Sequence, residues 1–181
     1  MNSNLIWIDL EMSGLNPQKD CILEIASIVT NNNLDILADG ISFAIRREPE
    51  LFDQMDDWNK QHHTKSGLWQ EVLASRITSA DAQNCIMEYI RPYSEAGSNP
   101  LCGNSIWQDR RFLAEEMNEL HKYLHYRIID VSTVKELVNR WYMPNMTKAY
   151  TKKNTHRALD DILESINELK FYKTNFFKQI V

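Results

Sequence analysis

The chain has 181 residues, a net charge of −5, and 43% hydrophobic and 25% charged residues. That is enough for one domain with a substantial core, expected to span 1–181. The apolar opening Leu5-Ile6-Trp7-Ile8 is interrupted at once by Asp9 and Glu11, so neither a membrane span nor a signal peptide is expected, and a cytoplasmic location is. Cys21, Cys85 and Cys102 are odd in number and form no CxxC pair. They argue against a disulfide framework or thiolate zinc site and read as small buried apolar residues.

In chain order, residues 5 to 11 alternate, with Ile6, Ile8 and Leu10 on one face and Trp7, Asp9 and Glu11 on the other. This is a strand of period two that aims both carboxylates the same way. Met12 to Asp20, with Ser13-Gly14 and Asn16-Pro17, reads as a loop. Ile22 to Thr30 and Ile36 to Arg46 follow as strands across the Asn31-Asn32-Asn33 turn. Beyond Glu48-Pro49 the pattern predicts helices over 50–61, 67–75 and 79–92, the last opening at Thr78 or Ser79 and ending at Pro92. A short strand over 100–104, a helix from Ser105 to Leu120, a strand from Arg127 to Val131 and a helix from Ser132 to Trp141, capped by Ser132, complete an α/β pattern with a mixed sheet. Met143 to Asn154 is polar and reads as a loop leading into a last helix from Thr155 to Phe171. Its place beside His156 makes that loop a candidate gate.

Three distant segments carry the chemistry: Asp9-Leu10-Glu11, Asn104 to Asp109, and His156-Arg157-Ala158-Leu159-Asp160-Asp161. Carboxylates gathered on a buried strand and at helix ends are costly unless a shared cation neutralises them. Hard oxygen donors suit Mg²⁺ or Mn²⁺, and two such ions about 4 Å apart are the usual arrangement for in-line phosphoryl displacement. A histidine supplies a base that titrates near neutral pH. Taken singly, each piece has a plain reading: Asp-x-Glu as a solvated strand face, Asp109 as an acid favoured by a helix dipole, His156 as a surface residue. Asp160 and Asp161 flank the apolar stripe of Leu159, Ile162, Leu163, Ile166 and Leu169 on opposite sides, and spacing does not choose between them.

Together the segments resemble the DEDD exonuclease superfamily in its histidine variant, where four residues separate the histidine from the last aspartate. That pattern selects Asp161. More closely, the chain resembles the bacterial oligoribonuclease family over essentially its whole length. The resemblance rests on Trp-Ile-Asp-Leu-Glu-Met-Ser-Gly-Leu at 7–15, Leu-Glu-Ile-Ala at 23–26, Cys-Gly-Asn-Ser-Ile at 102–106, Asp-Arg-Arg-Phe-Leu at 109–113, Asp-Val-Ser-Thr at 130–133 and His-Arg-Ala-Leu-Asp-Asp-Ile at 156–162. It implies an RNase H-like exonuclease fold, a mixed central sheet flanked by helices. It also implies a homodimer that degrades very short RNA, chiefly dinucleotides, to mononucleotides in the 3′ to 5′ direction with two divalent cations. Asp9, Glu11, Asp109 and Asp161 would hold the metals and His156 would be the base. Leu15 and Trp58 would pack on the bases, and His63 would contact the 3′ nucleotide. Ser105, Arg127, Ser132 and Thr133 would cap the 5′ phosphate, with Tyr126 arriving from the partner subunit.

Physical chemistry supports parts of this. Trp58 lies in the polar stretch Asp56-Asp57-Trp58-Asn59-Lys60, where base stacking worth about 1–3 kcal/mol is a natural use for an aromatic ring; anchoring a loop is the plain alternative. Arg127 near a helix N-terminus suits a terminal phosphate. A capped short substrate also agrees with the acidic composition, since a long nucleic-acid groove would need many Lys and Arg. The competing functions are an exonuclease for longer substrates, a noncatalytic nucleic-acid-binding module and a phosphatase-like hydrolase. The aromatic tail Phe171-Tyr172 and Phe176-Phe177, with Trp141-Tyr142, belongs either to a dimer interface or to the core.

Overall fold

The computed structural model describes residues 4–142 and 157–177. A five-stranded sheet of order β3-β2-β1-β4-β5 forms its centre. Its strands are β1 (Leu5–Met12), β2 (Ile22–Thr30), β3 (Ile41–Ala44), β4 (Pro100–Gly103) and β5 (His125–Asp130). β1 pairs antiparallel with β2 and parallel with β4, so the sheet is mixed, as expected. The mixed sheet flanked by helices matches the α/β architecture expected from the sequence.

The alternation of β1 decides what covers each face. Ile6, Ile8 and Leu10 join an apolar cluster with Ala82, Ile86 and Ile90 of α4 (Ser79–Ile90), Phe112 and Leu113 of α5 (Trp107–Glu116), and Leu120 of α6 (Asn118–Tyr123). Each isoleucine, leucine and phenylalanine among them contributes roughly 1.5–3 kcal/mol by leaving water. On the opposite face, Trp7, Ala26, Ile28 and Cys102 pack against Val131 and Val138 of α7 (Val131–Trp141) and Ala158, Ile162, Ile166 and Tyr172 of α8 (Ala158–Phe176). The Trp7 indole N–H is satisfied there by the Thr30 hydroxyl at 3.0 Å. β2, covered on both faces, is buried along its whole length, with Glu24, Ser27 and Thr30 buried among its apolar residues.

Several elements depart from the bounds expected of them. The strand over 36–46 is confined to Ile41–Ala44, with Ile36 making an isolated bridge to Thr30. At Gly40 the chain lies so close to α8 that a Cβ would stand 2.5 Å from the Leu159 side chain. The helix over 50–61 is two, α1 (Leu51–Gln54) and α2 (Asp57–Lys65), because the Asp56 carboxylate turns to cap α2 by accepting from the Asn59 amide. Next, α3 (Leu68–Ala74) packs Leu68, Trp69 and Val72 on Leu23. Thr78, not Ser79, caps α4, in a reciprocal box with Asp81, and a 3-10 turn over Arg91–Tyr93 takes up Pro92. The helix over 105–120 breaks at Met117, between α5 and α6. α8 runs on to Phe176, beyond the expected Phe171. Cys102 is buried as expected, but Cys21 and Cys85 are only partly so. The expected gate over 143–154, Thr155 and His156 lie outside the described residues.

Candidate active site

Asp9 and Glu11 leave β1 on the face covered by α8. Helix α8 seats itself through Ala158, Ile162 and Ile166, spaced four apart and buried. That seating turns Asp160 out to solvent, whereas Asp161 is half-buried. Asp9, Glu11 and Asp161 each offer a carboxylate oxygen within 4.8 Å of the others. Asp109, in the first turn of α5, enters from the edge between β1 and β4 and is 5% exposed. β4 pairs with β1 only as far as Trp7↔Cys102, and beyond that point the Leu10 amide donates to Asp109 Oδ1 at 3.0 Å. The aspartate thus takes the acceptor place that a longer neighbouring strand would have filled, which satisfies an amide that burial would otherwise penalise.

Three of these carboxylates, Asp9, Glu11 and Asp109, resist ionisation. Burial pushes Asp9 well above the usual carboxylate range, reinforced by Asp109, Glu11 and Asp161. Burial raises Glu11 to about 8, with Asp161 and Glu24 adding to the shift. Burial also takes Asp109 to about 7, against the lowering effect of the amide bonds it accepts. An all-oxygen donor set in a protected pocket, strained by its own negative charge, fits a hard divalent cation. Binding one replaces like-charge repulsion with attraction and releases protons.

Around this cluster the residues singled out from the sequence fall into two groups. The first lies at the C-terminal end of β1. Leu15 is 73% exposed, its carbonyl held by the Gln108 side-chain amide at 2.7 Å. Trp58 is 57% exposed and stacked on the His62 ring with centroids 3.7 Å apart. His63, by contrast, is almost fully buried. Its Nε2 lies 2.9 Å from the Met12 carbonyl, which requires the proton on that nitrogen, and burial lowers its pKa. The ring ties α2 to the end of β1.

The second group lies where β4 and β5 end. The Ser105 amide donates to Asp130 Oδ1 and to Ser132 Oγ, both at 2.9 Å, and the two serine hydroxyls are 3.2 Å apart. Ser105 takes φ 51° to do this, a left-handed turn. The helix cap differs from expectation: Asp130, not Ser132, caps α7, accepting from the Ser132 amide. An acidic side chain beats a hydroxyl for this place because it meets two amides and the helix dipole at once. Ser132 Oγ instead donates to Asn104 Oδ1 at 3.0 Å. Thr133 is exposed one residue along. Arg127 and Tyr126 lie on β5, an edge strand, with the Arg127 guanidinium over the Tyr126 ring at 5.4 Å and Tyr126 itself 72% exposed.

Sequence reasoning missed Gln108, Asp130, Glu24 and Arg157. Asp130 was within reach, being an Asp immediately before an apolar-periodic helix. Gln108 had no signal beyond its place beside Asp109. Glu24 and Arg157 are 133 residues apart, and only the tertiary structure makes them a pair.

Comparison with known proteins gives these positions a setting. Residues 6–169 match the RNase T family of exonucleases. An oligoribonuclease of Escherichia coli K12 is 50% identical over 97% of this chain and 97% of its own length. Those of Halorhodospira halophila and Shewanella frigidimarina are 50% and 51% identical over 97% of the chain, covering 95% and 97% of their own lengths. Among solved structures, the zinc-bound complex of E. coli exonuclease I with single-stranded DNA superimposes with a TM-score of 0.70 at 18% identity, over 97% of this chain but only 41% of that one. A further exonuclease I structure gives a TM-score of 0.67, again at 18% identity, over 95% of this chain and 41% of that protein. These last two are likenesses of fold.

Proposed function

Since this chain belongs to the RNase T exonuclease family, and within it to the oligoribonucleases, a family of nucleases, we propose that it degrades very short RNA, chiefly dinucleotides, to mononucleotides in the 3′ to 5′ direction. The observation that carries this reading is the convergence of Asp9, Glu11 and Asp161, with Asp109 beside them, from three distant parts of the chain. These four would hold two divalent cations, Mg²⁺ or Mn²⁺. Bound there, such ions lower the pKa of water and stabilise charge on the oxygens of the scissile phosphate.

The chain's own residues do the rest. His156 is assigned the general base, since an imidazole takes a proton from the attacking water near neutral pH and the carboxylates serve as ligands. As the water oxygen bonds to phosphorus, the bond to the 3′ oxygen of the preceding nucleotide breaks. That oxygen gains a proton, and a nucleoside 5′-monophosphate leaves. Leu15 and Trp58 are exposed apolar surfaces suited to packing on the two bases. His63 is assigned to the 3′ nucleotide; nearly buried, it would act there chiefly by holding the Met12 carbonyl at the end of β1. Ser105, Ser132, Thr133 and Arg127 are assigned to the 5′ phosphate; Asp130 occupies the Ser105 and Ser132 amides and Asn104 takes the Ser132 hydroxyl proton, so the phosphate would draw on the Arg127 guanidinium and on hydroxyls turned from their present partners. Tyr126, exposed on an edge strand, would enter the partner's site in a homodimer. No described helix is long and apolar enough to cross a membrane.

The test is a series of labelled RNAs from two to about twenty nucleotides, with Mg²⁺ or Mn²⁺. Turnover is expected to be highest on 5′-phosphorylated dinucleotides and to fall with length. Length-independent turnover would replace this reading with an exonuclease for longer chains, and release of inorganic phosphate with a phosphatase.

A further inference from the structure

Arg157 is a second convergence, next in the chain to His156, that the proposed reaction leaves unused. Its Nε and Nη2 donate to the two carboxylate oxygens of Glu24 at 3.2 and 3.0 Å, and its Nη1 and Nη2 donate to those of Glu71 at 2.9 and 2.7 Å. One guanidinium thus grips β2 and α3 together from the start of α8. Glu24 is 1% exposed and stands directly across the β1–β2 ladder from Glu11. Like charges facing each other across a ladder are unfavourable, and here Arg157 occupies both oxygens of one of them. Glu24 also accepts from the Ala158 amide at 3.2 Å. The residue at the start of α8 provides no side-chain cap of its own, so Glu24 caps the helix from the sheet.

The line from this clamp to the metal-binding carboxylates is short. The Arg157 carbonyl accepts from the Asp161 amide at 3.0 Å, the first turn of the helix. Holding Arg157 therefore fixes the turn that presents Asp161 to Asp9 and Glu11. We infer that Arg157, gripped between Glu24 and Glu71, is a positioning residue for the reaction, setting the first turn of α8 so that Asp161 completes the carboxylate cluster. This rests on the reading that Asp161 holds a cation. It divides five neighbouring carboxylates into those left for metal and one, Glu24, committed to the helix.

Arg157→Lys separates positioning from charge, because lysine keeps the positive charge but cannot fork onto two carboxylates. Glu71→Gln is a second variant, at a half-exposed carboxylate whose change leaves the core intact. In metal-free protein, amide exchange at residues 158–161 is expected to accelerate in both variants and not in α4. That readout needs neither metal nor RNA. With Mn²⁺ and a short RNA, kcat is expected to fall about tenfold in Arg157→Lys and less in Glu71→Gln, with KM within about twofold and Mn²⁺ binding weakened. Unchanged exchange, or unchanged kcat and Mn²⁺ affinity in Arg157→Lys, overturns the inference. A wild-type chain that neither binds Mn²⁺ nor cleaves RNA defeats the functional reading instead, and the exchange result then still judges the clamp.

Discussion

The two faces of the central sheet are built on opposite terms. Beneath α4, α5 and α6 the contact is hydrocarbon, with Ile6, Ile8 and Leu10 of β1 meeting Ile86, Ile90 and Phe112. Beneath α7 and α8, the same strand turns Trp7, Asp9 and Glu11, and buried polar groups accumulate. Glu24 and Glu168 are each 1% exposed, with Arg157 and Lys135 as respective cationic partners, and Asn104 Nδ2 donates to Ser165 Oγ and Glu168 Oε2. The first face supplies stability and rigidity. The second spends part of that stability to hold carboxylates where water alone would not gather them. A residue's worth should therefore be read in different quantities on the two faces: folding free energy on one, turnover and metal affinity on the other.

The largest test of that division is Asp9→Asn. It is expected to reduce turnover by about 10³-fold or more, roughly 4 kcal/mol on the barrier, while raising the melting temperature of metal-free protein near pH 8, since it removes a buried, mutually repelling charge. A lower metal-free melting temperature would break the comparison. Ile86→Ala probes the other face. It should cost about 2–5 kcal/mol of folding stability in denaturant titration, with kcat and KM of the folded enzyme within about twofold of wild type.

A smaller effect concerns pH. Glu11 and Asp109 are raised to about 8 and about 7 from ordinary values of 4.5 and 3.8. For groups so raised, the folded state binds more protons than the unfolded one between those values. Metal-free stability is then fully present below about pH 4 and lost as pH rises through 7 to 8. Thermal melts should show this decline, and saturating Mg²⁺ should stabilise the protein more at about pH 8 than at about pH 6; equal stabilisation would contradict a proton-for-metal exchange. The smallest expected change is Thr78→Ala, on the hydrocarbon face. Losing its reciprocal cap with Asp81 should cost about 1 kcal/mol of stability and leave turnover alone.

Much of this was legible in the chain because it is local. Period-two alternation placed Asp9 and Glu11 on one side of β1, and Asp at the start of α5 put Asp109 in its first turn. Element boundaries were less legible where one polar residue had two possible employers: Asp56 broke a predicted helix by capping its second half, and Asp130 took the cap expected of Ser132. The choice between Asp160 and Asp161 was open at the level of pattern and was settled first by resemblance. In the structure it follows from how Ala158, Ile162 and Ile166 seat α8, which leaves Asp160 in solvent.

What the sequence determined by itself was the oxygen-rich chemistry, the α/β order of elements and the family, since these depend on residue types and on spacings along one segment. Only the tertiary structure decided which carboxylates meet. It placed Asp109 on the Leu10 amide because β4 stops short, and it joined Glu24 to Arg157 across the sheet. Contacts between residues 99 and 133 positions apart are fixed by the packing of whole faces, and no local periodicity records them.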